Sequence, residues 1–259
     1  MDLCDLCALD LWIFAIFAIV LGMSSLSASE RTRADALLRD LDRVFDGRLQ
    51  SLGVYHSNDQ HDRLHTLAVV DRLTFDDLGA CVPLADDWLR RGIAVPLILS
   101  AGELQRTLDI FPLEYEAIAA TLTPLRGGNP FDGSAPARAD IRRALETQAN
   151  SHLIHLREGF LESRGEAYAI GGLLASSATP FRTLLAGIAR LVEPAHHGVL
   201  SDEHLASFAE RRIGVPSALV REVFATATGH HAAIADPSAL LARYVDAAER
   251  VWTFLDAWQ

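Results

Sequence analysis

The chain has 259 residues, half of them hydrophobic, with 34 acidic against 23 basic side chains and a formal net charge of −11. That length and apolar content suffice for a full core in one large or two smaller domains, and the acidic balance excludes broad adhesion to nucleic acid, which needs a basic surface. Every basic residue is Arg and none is Lys, which excludes a lysine nucleophile, a Schiff-base lysine and a Walker-type phosphate loop, and leaves phosphate recognition to guanidinium forks.

In chain order, the first feature is the apolar run Leu11–Met23. It is shorter than the roughly 20 residues that span a bilayer. The residues before it carry Asp2, Asp5 and Asp10 and no positive charge, the reverse of a secretory leader. Residues 1–28 are therefore read as an apolar segment, either lying upstream of a true start at Met23, which is the preferred reading, or acting as a membrane tether. Cys4, Cys7 and Cys81 are too few for a disulfide framework and fit a reducing compartment. A cytoplasmic protein is expected, with membrane association through residues 11–23 as the alternative.

A helix starts near Ser29 and repeats Leu37, Leu38, Leu41, Val44 and Phe45 at helical spacing, so it should cover one face of a sheet. Two runs rich in β-branched and aromatic residues, Leu52–Ser57 and Leu64–Asp71, flank a polar segment with Asn58 and Asp59 and read as paired strands. Alternation on the second strand points Arg63 and His65 the same way. Asp76–Gly92 carries Leu78, Val82, Ala85 and Leu89 at helical intervals and crosses over to a strand at Pro96–Leu99. Glu114 and Glu116 are expected to alternate on a further strand, with both carboxylates on one side.

Leu122–Ala137, rich in Pro and Gly, reads as a linker. Beyond it the strand signal stops. Ile141, Leu145, Ala149, Leu153, Leu156 and Phe160 form one stripe of a long helix, and further helices are expected near Pro180–Val192, Ser201–Ile213, Pro216–Thr228 and Pro237–Trp258. The expected fold class is α+β, a mixed sheet with flanking helices followed by an all-α bundle. The division is 29–121 for the α/β domain, 122–137 for the linker and 138–259 for the helical domain.

Three motifs add to this outline: Leu52-Gly53-Val54-Tyr55-His56-Ser57 before the second strand, Pro96-Leu97-Ile98-Leu99-Ser100, and Phe111-Pro112-Leu113-Glu114 followed by Asn129-Pro130-Phe131. As a set, over roughly Leu37 to Gly165, they resemble the polymerase-β-like nucleotidyltransferase superfamily. In that family a strand ends in Gly-Ser, and the next opens with two acidic residues one apart that hold a pair of Mg²⁺ ions. The resemblance implies a nucleotidyltransferase-like sheet and an ancestral cleft lined by His56, Ser57, Arg63 and His65, with Glu114 and Glu116 facing it. Ser57 is retained, His56 takes the Gly position, and the acidic positions fall on Arg63 and His65. A slip of one residue does not restore the pair, because Leu64 follows Asp62 at the required spacing. Arg offers only donors and a fixed positive charge, so it repels a divalent ion while remaining able to hold a phosphate.

Other groupings have two readings each. His56, His61 and His65, with Asp59 and Asp62, suit a transition metal by ligand type, or are polar turn residues. His152 and His155 share a helix but lack the Glu-x-x-His pairs of di-metal bundles, and His196-His197 and His230-His231 lie in loop-like contexts. Arg138 and Arg142, four apart, are phosphate-binding candidates together with Ser57 and Arg63, or belong to a solvated face balanced by Asp140 and Glu146.

Three functional expectations follow. The first is a catalytically inactive nucleotidyltransferase-like protein that binds a nucleotide, a phosphorylated small molecule or another protein, with no cofactor. The second is an active metal-dependent enzyme with a relocated acidic site, which would need Mg²⁺. The third is a membrane-tethered interaction protein.

Overall fold

The computed structural model describes residues 26–56, 63–194, 198–227 and 234–258. The chain divides into two compact units, Met1–Ala135 with His197–Val199, and Pro136–His196 with Leu200–Gln259. The class is α+β. Among the described residues no helix is long and apolar enough to cross a membrane. Cys4, Cys7, the Leu11–Met23 run, Ser57, Asp59, His61, Asp62, His196-His197 and His230-His231 lie outside the described residues.

Helix α1, Ala28–Phe45, opens with a reciprocal cap: the Ser27 hydroxyl accepts from the Glu30 N–H at 3.2 Å, and the Glu30 carboxylate accepts from the Ser27 N–H at 2.8 Å. Its buried face is Leu37, Leu41 and Phe45, as its spacing predicts. Strands β1, Leu49–Tyr55, and β2, His65–Val70, form an antiparallel hairpin. After helix α2, Phe75–Arg90, strand β3, Leu97–Ser100, pairs in parallel with β2, the geometry that requires a crossover. Helices α3, Ala101–Thr107, and α4, Pro112–Thr121, lead to strand β4, Thr123–Arg126, which pairs antiparallel with β1 and gives the order β3-β2-β1-β4. This strand falls in the stretch read as linker. Pro124 disguised it, because proline is tolerated only on an edge strand such as this one.

The central strands are buried on both faces. Ala68 and Val70 join Leu52, Leu37, Phe45 and Trp88 on the α1–α2 side, while Leu67 and Val69 join Leu104, Tyr115, Ile118 and Phe131 on the α3–α4 side. A side-chain period of two separates the sets, and burial on both faces explains why these strands read as continuous apolar runs.

Two expectations are corrected here. Glu114 and Glu116 are on α4, not on a strand; two residues apart on a helix they lie roughly 200° apart about the axis and cannot share a side. Pro112 at the first helical position sets the helical φ, and Tyr115 and Ile118 take the buried face. In α2, the periodic residues Leu78, Val82 and Leu89 are 41%, 70% and 38% exposed. The buried seam is Asp77, Cys81 and Trp88 instead. Asp77 tolerates that seam because Arg48 grips its carboxylate with two bonds of 2.6 and 3.0 Å, and the Trp88 indole N–H finds the Asp40 carboxylate at 3.1 Å.

The second unit comprises α5, Arg138–Glu162; α6, Ala167–Val192; α7, Asp202–Phe208, prolonged by a π-helical turn Ala209–Ile213; α8, Ser217–Thr226; and α9, Pro237–Ala257. Ile141, Leu145, Ala149, Leu153 and Leu156 of the predicted α5 stripe are buried, while Phe160 at its end is 44% exposed. Helix α6 begins well before Pro180, which sits inside it. The proline signals a helix start in sequence, but the apolar face from Ile170 to Leu191 carries the helix through it.

Candidate functional site

The β1–β2 hairpin brings the candidate residues that are described to one end of the sheet. Tyr55 is paired in register with His65, so His56 leaves β1 where Arg63 enters β2. Tyr55 and His65 also meet through their rings, with centroids 5.8 Å apart and planes tilted by 47°, a cross-strand aromatic pair. The Tyr55 hydroxyl is pushed above the ordinary tyrosine range by burial, so at neutral pH it is a neutral donor.

The surroundings of His56 come from two other elements. Its backbone N–H donates to the Thr121 hydroxyl at the end of α4, 3.1 Å away, and that hydroxyl donates onward to the Ala117 carbonyl at 3.1 Å. The first turn of α1 supplies Glu30, whose carboxyl is held below the usual range by its bonds to Ser27, with Arg33 and His56 as lesser electrostatic causes. Arg33 is fixed in turn by a 2.9 Å bond to the Gly92 carbonyl. Tyr55, Thr121 and Arg33 are not singled out by the sequence. Tyr55 reads as an ordinary strand aromatic, and only folding shows that α4 ends beside β1.

Arg63 and His56 are exposed and His65 is half-buried. Chemically, this end of the sheet offers a guanidinium, two imidazoles, a hydroxyl and a phenol. The carboxylate beside it, Glu30, is already used by its helix cap. Donors of this kind suit a phosphate or another anion, whereas Mg²⁺ requires oxygen ligands. Among the described residues no three His, Cys, Asp or Glu side chains are grouped to hold a metal ion.

The remaining candidates lie elsewhere. Glu114 is exposed on α4, on a different side from Glu116. Arg138 donates to the Leu191 carbonyl at 2.8 Å and lies over the Trp258 ring at 5.8 Å. Arg142 donates to the Trp258 carbonyl at 2.7 Å and to the Leu255 and Asp256 carbonyls at 3.3 Å, and pairs with Glu146 at 3.4 Å. Arg142 thus ties the end of α9 to α5, while Arg138 ties the end of α6 to α5 and stacks on the Trp258 ring; both satisfy carbonyls that a helix C-terminus leaves open. His152 is buried and His155 exposed on α5, so they do not present a joint ligand set.

No protein-family model matches this chain, and no curated protein matches it.

Proposed function

We propose that the first unit is a nucleotidyltransferase-like scaffold without transfer chemistry, which binds a nucleotide or a phosphorylated small molecule at the hairpin end of its sheet. The observation that carries this reading is the register Tyr55↔His65: it assembles His56, Arg63 and His65 where the resemblance calls for paired carboxylates. A guanidinium there recognises phosphate and opposes the metal pair that two-metal transfer needs. The alternative of a relocated acidic site, built on Glu114 and Glu116 with Asp62 or the histidines, has less support, because Glu114 and Glu116 diverge on α4. A protein partner in place of a small ligand and a cytoplasmic location stand as lesser parts of the same proposal.

Calorimetric titration with nucleoside triphosphate, with and without Mg²⁺, tests it. The expected result is binding that does not require the metal and weakens about tenfold on Arg63→Ala, the scale of a hydrogen bond to a charged group. Transfer of a nucleotide to any acceptor, or affinity that appears only with Mg²⁺, overturns it.

A further inference from the structure

The second unit contains a groove of about 460 Å³ between the end of α5 and the first half of α9, within the range that drug-sized ligands occupy. Its walls are apolar, formed by Phe160, Leu161, Leu241 and Ala242. Phe160 and Leu161 are 44% and 75% exposed, so the groove presents adjacent apolar side chains to a ligand.

Two charged residues line the groove, Arg157 and Asp246, and they differ in what they have left to offer. Arg157 pairs with Glu249 at 3.3 Å. Asp246 has an arginine one turn away on each side along α9, yet neither reaches it: Arg243 pairs with Glu222 at 2.8 Å, and Arg250 donates to the Gly214 carbonyl at 3.0 Å. Asp246 is therefore not ion-paired among the described residues, and the groove joins an apolar floor to one uncompensated carboxylate. An anion would meet that carboxylate unfavourably, whereas a cation would be attracted by it and by the face of the Phe160 ring.

We propose that this groove binds a small amphiphilic cation, a protonated amine on an apolar chain. Calorimetry on the full chain with octylammonium, octanol and octanoate, each below its aggregation concentration, tests the proposal. Octylammonium is expected to bind about threefold tighter than octanol, the scale of an exposed ion pair, with octanoate weakest. Asp246→Asn should bring octylammonium to the octanol level and leave octanol unchanged. Ala242→Trp, which fills the groove from an exposed position, should abolish binding of both without lowering the melting temperature. Absence of binding by octylammonium, tighter binding of octanoate, or undiminished binding to the Ala242→Trp variant overturns the proposal.

Discussion

His152 sits in the helical unit with its ring stacked on Phe181, centroids 5.7 Å apart, and its Nε2 2.7 Å from the Tyr244 hydroxyl. That hydroxyl donates to the Ser177 carbonyl at 3.2 Å, so its oxygen accepts from His152, which assigns the neutral tautomer protonated at Nε2. Burial, reinforced by nearby His155, lowers the His152 pKa from 6.5 to about 4. The unfolded chain therefore binds a proton that the fold refuses, and stability falls as the pH drops below 6.5 and levels off below about 4. The loss should total roughly 3 kcal/mol. Urea unfolding at pH 7, 5 and 4 measures it, and His152→Phe should flatten the dependence across that window. Tyr244→Phe at pH 7 should cost about 2 kcal/mol, since it strands the buried His152 N–H. The sequence showed a histidine on a helix, but whether imidazole met water or a phenol depended on α9, which is 92 residues away at the point of contact.

At the scale of elements, α2 separates periodicity from burial. Its apolar spacing is real, yet α1 and the turn before β1 select a different seam, since Arg48 and Asp40 supply partners for Asp77 and Trp88. Arg48 beside Asp77, with Thr74 bonds in support, holds that carboxyl far below the usual aspartate range. Val82→Asp should change stability by less than about 0.5 kcal/mol, as an ordinary surface substitution does. Trp88→Ala should cost about 3–5 kcal/mol through the void it leaves, and Asp77→Ala about 2 kcal/mol through loss of a cap and a charged hydrogen bond. Denaturant melts of the three variants rank them; a large loss at Val82 with none at Trp88 would reverse the assignment. The entry to the chain after β4 is equally specific. Gly127 has φ of +67°, and a Cβ there would lie 2.3 Å from the Gln50 carbonyl oxygen, whereas at Gly133, φ +79°, the space is open. Gly127→Ala should therefore cost at least about 3 kcal/mol and Gly133→Ala only about 1, the price of a left-handed alanine alone.

For the whole molecule, composition speaks more directly than any site. A net charge of −11 opposes the approach of a polyanion, so an electrophoretic shift with duplex DNA at physiological salt should show no complex. A shift that weakened steeply with added salt would contradict this. Length, the α+β class, the hairpin and the long helices were all legible in the chain, because apolar period and chain length are local quantities. Helix α4, expected as a strand, was not, nor was the start of α6, where Pro180 carries the local signal of a helix start although it lies inside the helix. The candidate site was legible by half: His56, Arg63 and His65 follow from strand register, while Thr121 beside His56 follows from packing.

What the amino-acid sequence determined by itself is the absence of lysine chemistry, the net negative charge and the placing of Arg63 and His65 at alternate positions where the second strand begins. Tertiary structure alone decided that Glu114 and Glu116 diverge, that Arg138 and Arg142 serve the ends of α6 and α9 respectively, and that the periodic residues Leu78, Val82 and Leu89 of α2 look outward. The reason is that covalent order specifies which groups are present and which way neighbours alternate, whereas burial and pairing depend on groups far apart in the chain.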